Sequence, residues 1–213
     1  MTERSRAGRA WLVLAGVAAG VHLLAWLAGL PPLRLASKPI PAAALAMWVY
    51  RGSTLPRARF IAAGLALSAV ADAAIEASFL AGLGFFLLAH LAYLAGFLAD
   101  TRALALPRAL PAAIYGLGVQ GILAPSLGTL RVPVTAYVGV ICAMVWRAAA
   151  RVGQRGRPTR GEWAGLLGAV LFAASDSLIA CNRFVTPLAW APPAIILLYW
   201  AGQAGIAVSG RHP

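Results

Sequence analysis

The chain is a succession of apolar runs of about twenty residues, interrupted only by short gaps that carry arginine, glycine or proline. Each run can cross a hydrocarbon layer about 30 Å thick as a helix rising about 1.5 Å per residue. Of the 213 residues, 61% are hydrophobic and 11% charged, against about 25% charged in soluble domains. Almost nothing is left over for a soluble domain. The fold class is therefore all-α: a polytopic transmembrane helical bundle of about eight spans, forming a single integral-membrane domain over residues 1–213.

The spans fall at about 10–30, 39–50, 60–78, 79–99, 109–123, 132–150, 163–182 and 189–209. The first is longer than the 7–15 residues of a signal-peptide core, and no small-residue cleavage site follows it. The second is short and reads as extending backward or lying at an angle. Pro39 and Pro41 suit the opening turn of a helix there, where a missing N–H costs little.

A net charge of +12 would suggest nucleic acid in a soluble protein. Here the basic residues sit in the gaps between spans, the pattern of topology signals and anionic-lipid contacts, so membrane lipids are the expected partners and nucleic acid is not. With eight spans, 14 of the 18 basic residues fall on one side, among them Arg9, Arg57, Arg108, Arg151, Arg155 and Arg160. The other side holds Arg34, Lys38, Arg131 and Arg183. Both termini are thus expected in the cytoplasm, the membrane being a bacterial cytoplasmic membrane. Cys142 and Cys181 both lie within spans and read as small packing residues, with no metal-ligand spacing.

The sequence also repeats itself. Asp72 and Asp176 are 104 positions apart, and YLAGF from Tyr93 matches YWAGQ from Tyr199. An even number of spans per copy gives a parallel 4+4 duplication, with repeats over about 10–100 and 108–210.

Within this apolar chain, Asp72 and Asp176 stand inside membrane-grade segments, GLALSAVADAAIEASF and GAVLFAASDSLIACNRF. A charge at such depth costs about 2.5–3.5 kcal/mol on insertion scales and is rarely kept without a task. Glu76 lies one turn beyond Asp72, and Arg183 two turns beyond Asp176, each pair on one helix face. Lys38 opens the second span on the same side of the membrane. Such groups must face one another or a wet cavity. The plainer readings are a buried ion pair of either aspartate with Lys38 or Arg183, and snorkelling of Arg34, Lys38 and Glu76 to the headgroups. His22 reads as a packing residue. His90, one turn from Tyr93, fits a structural hydrogen bond as well as catalysis, and Tyr199 and Gln203 share a face that can tie helices together. No nucleophile elbow, zinc spacing or phosphate loop occurs, so carboxylates are the main candidates for chemistry and neither metal nor cofactor is implied.

These residues resemble the YhhN-like lysoplasmalogenase family of eight-span membrane proteins. The likeness runs through KP at Lys38–Pro39, LSAVAD ending at Asp72, and F-x-x-G-L-G-F-x-x-x-A-H-L-A-Y from Phe79 to Tyr93. It continues with SDSLIACNRF from Ser175 and YWAGQ from Tyr199. Ala71 departs from it, standing where the family usually has glycine before the aspartate.

The resemblance implies a membrane-embedded hydrolase that cleaves the vinyl ether bond of a lysophospholipid, the lysoplasmalogen, to a fatty aldehyde and glycerophosphoethanolamine or glycerophosphocholine. It implies acid/base work by Asp72 and Asp176, with His90 assisting, as in the paired carboxylates of glycosidases. Which aspartate is the acid stays open. Lys38 and Arg183 would bind phosphate or set carboxylate ionisation, and Tyr93, Tyr199, Gln203, Asn182 and Glu76 would line the substrate. A lipid or small-molecule transporter is the alternative from another class, since duplicated spans with buried charges suit alternating access. A hydrolase of a different lysolipid is the third.

Overall fold

The computed structural model describes residues 3–154 and 156–212. Arg155, counted above among the basic residues, lies outside them, as do the side chains of Arg4 and Arg6. Nine α-helices follow one another among the described residues, with no strand: α1 (Glu3–Leu27), α2 (Pro31–Ser37), α3 (Ile40–Gly52), α4 (Pro56–Ala77), α5 (Phe79–Asp100), α6 (Ala109–Leu123), α7 (Arg131–Arg151), α8 (Arg160–Phe184) and α9 (Ala191–Arg211). Seven helical segments, built on all but α2 and α3, are long and apolar enough to cross a membrane, α6 reaching that length with the 3-10 turns at its two ends over Leu106–Ser126.

The expected second span is a kinked pair rather than one helix. α3 has 13 residues and α2 has 7. Lys38 and Pro39 between them keep right-handed helical dihedrals, so the chain turns without leaving the helical path. Pro39 and Pro41 supply no N–H to the carbonyls of Leu35 and Ser37, and the hydrogen-bond ladder breaks there. The Ser37 hydroxyl instead bonds back to the Leu33 and Arg34 carbonyls at 2.7 and 3.2 Å. Lys38 therefore leaves the chain at the break.

Two hairpins dominate the packing, α4–α5 and α8–α9. A single extended residue, Ser78, joins the first, and its hydroxyl caps α5 by accepting from the Ala81 N–H. The second owes its closeness to glycine. A Cβ at Gly168 would lie 2.6 Å from the Gly202 carbonyl oxygen, and one at Gly202 would lie 2.9 Å from the Phe172 nitrogen. Backbone thus meets backbone, the usual device where lipid supplies no hydrophobic drive between helices. α8 starts at a capping box in which Thr159 and Glu162 satisfy each other's backbone N–H groups. α9 also packs on α3 and α4, and α7 bridges α5, α6 and α8.

The buried core runs along these contacts through Leu65, Phe86, Tyr93, Phe97, Phe172 and Tyr199. Large apolar side chains such as Leu27, Leu117 and Val132 are exposed on the outside of the bundle, as lipid-facing residues should be.

The end of the bundle near Arg57 is tied by ions the sequence reading had placed in loops. The Asp100 side chain is 8% exposed and bonds Arg57 Nη1 and Arg151 Nε, each at 2.7 Å. Arg57 also donates to the carbonyls of Ser209 and His212, at 2.8 and 2.7 Å. Cys142 and Cys181 are free.

Candidate active site

Asp176 sits on α8 where that helix faces α5 and α7. The Tyr137 hydroxyl of α7 donates to its Oδ2 at 2.6 Å. From α5, His90 Nε2 lies 3.5 Å from the same oxygen. His90 is wholly buried, and its Nδ1 is 2.6 Å from the Phe86 carbonyl oxygen. A carbonyl only accepts, so Nδ1 carries a proton and donates it. In the neutral ring Nε2 is then a bare acceptor aimed at a carboxyl oxygen. Two acceptors repel at this range. A proton on either the carboxyl or Nε2 relieves the repulsion, and the pair can hold one in reserve.

Asp72, on α4, is 2% exposed and has a different partner. The Tyr199 hydroxyl of α9 donates to its Oδ2 at 2.7 Å. Next to it, the Tyr93 hydroxyl donates to Gln203 Oε1 at 2.6 Å, leaving Ser68 Oγ to donate to Tyr93 at 3.2 Å. Gly64 makes room for the Tyr93 ring, which a Cβ there would strike. Between the two acids stands Phe172, with ring centroids 4.5 Å from His90 and 5.2 Å from Tyr199. Asp72 and Asp176 share no hydrogen-bond partner among the described residues.

Two clefts open beside this cluster. One is apolar and narrow, with a cavity volume of about 50 Å³, and is lined by Leu83, Phe86, Leu123, Ile141 and Phe184, with Tyr137 and Asp176 in its wall. The other is larger, about 350 Å³, and is lined by Arg34, Lys38, Arg183, Glu76 and Asn182. Ile75, Phe79 and Ile179 line both. A greasy channel carrying one carboxyl is thus separated from a basic cleft by a wall three side chains wide.

The sequence candidates fall into three groups. Asp176 and His90 come together at the apolar cleft, while Asp72, Tyr199, Tyr93 and Gln203 form the buried network behind it. Lys38, Glu76, Arg183 and Asn182 line the basic cleft. Neither aspartate is in an ion pair with Lys38 or Arg183. Lys38 instead pairs with Glu76 at 2.7 Å, and the Arg183 guanidinium lies over the Phe79 ring at 4.0 Å. Asn182 also holds the α8–α9 loop, accepting from the Leu188 N–H at 2.7 Å. His22 is satisfied by the Arg34 carbonyl at 3.0 Å and packs edge-on to Trp200. Sequence reasoning missed Tyr137. Its only signal was a lone phenol in the aliphatic run of α7. Arg34, read as a snorkelling residue, turns out to line the basic cleft. No cluster of side chains suited to a metal ion occurs among the described residues.

A multi-pass helical membrane protein with a buried carboxyl–imidazole pair beside an apolar cleft, and a basic cleft across one shared wall, is the class these features define. The profile of the YhhN family matches residues 33–210, and the chain belongs to that family. The lysoplasmalogenase of Mycobacterium bovis is 34% identical, over 90% of this chain and 82% of its own length. Lysoplasmalogenase TMEM86A of Bos taurus is also 34% identical, over 73% of this chain and 67% of its own. Human lysoplasmalogenase TMEM86B is 35% identical, over 70% of this chain and 62% of its own. No solved structure matches the chain.

Proposed function

We propose that the protein hydrolyses the vinyl ether bond of lysoplasmalogens, releasing a fatty aldehyde and a glycerophospho-headgroup. The observation that carries this reading is the placement of Asp176, the one carboxylate lining the apolar cleft among the described residues, one helical turn from Ile179 in the wall shared with a basic cleft. A lysolipid has the same layout. Its tail suits the apolar cleft, its phosphate suits Arg34, Lys38 and Arg183, and its enol ether falls between them. The names of the relatives point to the same substrate.

The chemistry needs a proton delivered to carbon. The carboxyl of Asp176 gives its proton to the outer alkene carbon, and the electrons of the double bond form the new C–H bond. The positive charge appears at the inner carbon and is shared by the ether oxygen as an oxocarbenium ion. The Asp176 carboxylate now steadies that cation and takes a proton from the water that attacks it. A hemiacetal results. It collapses as its hydroxyl loses a proton and the glycerol oxygen leaves with one, giving aldehyde and alcohol. A single acid/base group of this kind contributes about 10²–10⁴-fold. His90 Nε2 supports the cycle as an acceptor facing the protonated carboxyl, which favours the acid form of Asp176 until its proton passes to carbon and again after water returns one. Asp72, fixed by Tyr199, adds negative potential near the forming cation, an electrostatic contribution that needs no contact.

In the membrane, we read the basic cleft as lying on the outer side and both termini as cytoplasmic, from the segregation of arginines. The placement of Asp72 on α4 and Asp176 on α8, each in a tight hairpin, supports the parallel duplication. Reporter fusions at the two ends test the orientation. Mass spectrometry of lysolipid panels incubated with purified protein tests the activity. Aldehyde should appear with wild type and fall at least a hundredfold with Asp176→Asn. Near-native release from folded Asp176→Asn sinks the mechanism.

A further inference from the structure

The apolar cleft holds one polar side chain that none of these steps uses. Ser177 follows Asp176 on α8 and lines the same cleft. Its Oγ is in hydrogen-bond contact with the Tyr115 hydroxyl of α6, and that hydroxyl donates to the Ala173 carbonyl at 2.9 Å. A phenol has a single proton, and here the carbonyl has it, so Ser177 must donate to the Tyr115 oxygen. A helical serine ordinarily turns its proton back to the carbonyl four residues earlier. For Ser177 that is Ala173, which Tyr115 has taken. Toward anything else in the cleft the Ser177 oxygen is therefore an acceptor only. Tyr137 is committed in the same way, its proton lying on Asp176 Oδ2. Every other residue lining the cleft is aliphatic or phenylalanine. Once Asp176 has given up its proton, the lining offers two acceptors, the carboxylate and Ser177 Oγ, and no free donor. A molecule with two protons answers both. Water needs about 10–15 Å³ and at least two polar partners, and the cavity of about 50 Å³ supplies the room.

We propose that Ser177 is a positioning residue for the attacking water, which donates one proton to Asp176 and the other to Ser177 Oγ. The proposal rests on the reading of this cleft as the place of vinyl ether hydrolysis. The water lone pair is then left for the cation. As the O–C bond forms at the inner carbon, the proton on the Asp176 side passes to the carboxylate. The proton on the Ser177 side stays as the hemiacetal hydroxyl, and the serine itself neither gives nor takes one. The arrangement also chooses the nucleophile. An alcohol has one O–H and leaves one acceptor unpaired in apolar surroundings, a penalty that water escapes.

The test uses full-length protein in nanodiscs, with lysoplasmalogen and added methanol, and mass spectrometry of two products. Capture by water gives the aldehyde; capture by methanol gives a mixed acetal with the mass of substrate plus methanol. Wild type should form aldehyde almost alone. Ser177→Ala should lower kcat for aldehyde about tenfold and raise the acetal-to-aldehyde ratio by a similar factor. The ratio belongs to each turnover, so it is read from whatever fraction folds. Tyr115→Phe breaks the same link between α6 and α8 but frees the Ala173 carbonyl for the serine proton, and the acceptor in the cleft remains. It should lower the thermal midpoint and keep the wild-type ratio. If Ser177 only fastens α6, the two variants lose stability alike and neither changes the ratio, which overturns the proposal. An unchanged ratio in Ser177→Ala beside an active wild type removes the water site alone. A wild type that forms neither product removes the hydrolase reading, and the water site falls with it.

Discussion

His90 Nε2 points at Asp176 Oδ2 from 3.5 Å while its other nitrogen is committed to the Phe86 carbonyl at 2.6 Å. The ring cannot turn to offer Nδ1 instead without abandoning that bond at a wholly buried position. The imidazole is therefore fixed as a proton acceptor toward the acid. Replacing His90 by Ala should lower kcat by about a hundredfold while leaving KM near its wild-type value, because the ring reaches neither cleft. Steady-state aldehyde release with lysoplasmalogen in nanodiscs measures both constants. A rise in KM with kcat unchanged contradicts an acceptor role toward the acid.

The two tyrosines on the acids have separable effects. Tyr137 touches Asp176 Oδ2 at 2.6 Å and lines the apolar cleft, whereas Tyr199 touches Asp72 at 2.7 Å behind it. Losing one hydrogen bond to a charged or chargeable group costs about 1.5–3 kcal/mol, or roughly ten- to a hundredfold if it is felt in the transition state. Tyr137→Phe should show that loss in kcat. Tyr199→Phe should show less of it in kcat and more as a lowered thermal midpoint, since its ring packs on Phe172 and Phe86. Equal profiles for the two variants would assign both acids the same task.

How much of this was legible beforehand depends on what each residue's neighbours in sequence reveal. The spans could be read because hydropathy is a local property, and seven of the eight expected runs are single helices. The broken second span was only half visible: Pro39 and Pro41 advertised a helix start, but that Pro31–Ser37 is also helical depends on the chain continuing through Lys38. Asp72 and Asp176 stood out because a charge in an apolar run is anomalous by itself. Their partners did not, since Tyr137 and Tyr199 are brought to them by the packing of other helices. Asp100 escapes notice for the converse reason. It ends a helix and looks solvated in sequence, yet two arginines from distant helices enclose it.

The closeness of α8 and α9 predicts a sharp intolerance. Gly202 faces the Gly168 carbonyl oxygen and the Phe172 backbone, so a valine there meets main chain, which cannot swing aside. Relieving the clash pushes the helices apart, and Phe172 and Tyr199, which stand on the two sides of that contact, move with them. Gly202→Val should therefore lose both thermal stability and activity. Gly118, where a Cβ meets nothing within 4 Å, is the control, and Gly118→Ala should behave as wild type. A Gly202→Val protein with a normal thermal midpoint would mean that the helix contact is looser than described.

At the far end of α4 from Glu76, the Asp100 cluster gives the opposite dissociation of stability from catalysis. Asp100 neutralises Arg57 and Arg151 in a poorly exposed setting, and Arg151 is 1% exposed with both terminal nitrogens lacking a hydrogen-bond partner among the described residues. Asn in place of Asp100 keeps the shape but removes the charge, and two guanidiniums then face each other in a poorly solvated space. Breaking a buried pair in this way costs about 3–5 kcal/mol. Arg57 retains its bonds to the Ser209 and His212 carbonyls, which hold α9 to α4 and limit the damage to stability rather than topology. Asp100→Asn should thus unfold at a markedly lower temperature in detergent, while the fraction that remains folded keeps its kcat, because Asp100 stands about 15 Å along α5 from His90 and lines neither cleft. Loss of kcat in the folded fraction would show that the cluster communicates with the site, and a normal unfolding temperature would show that its charges are solvated.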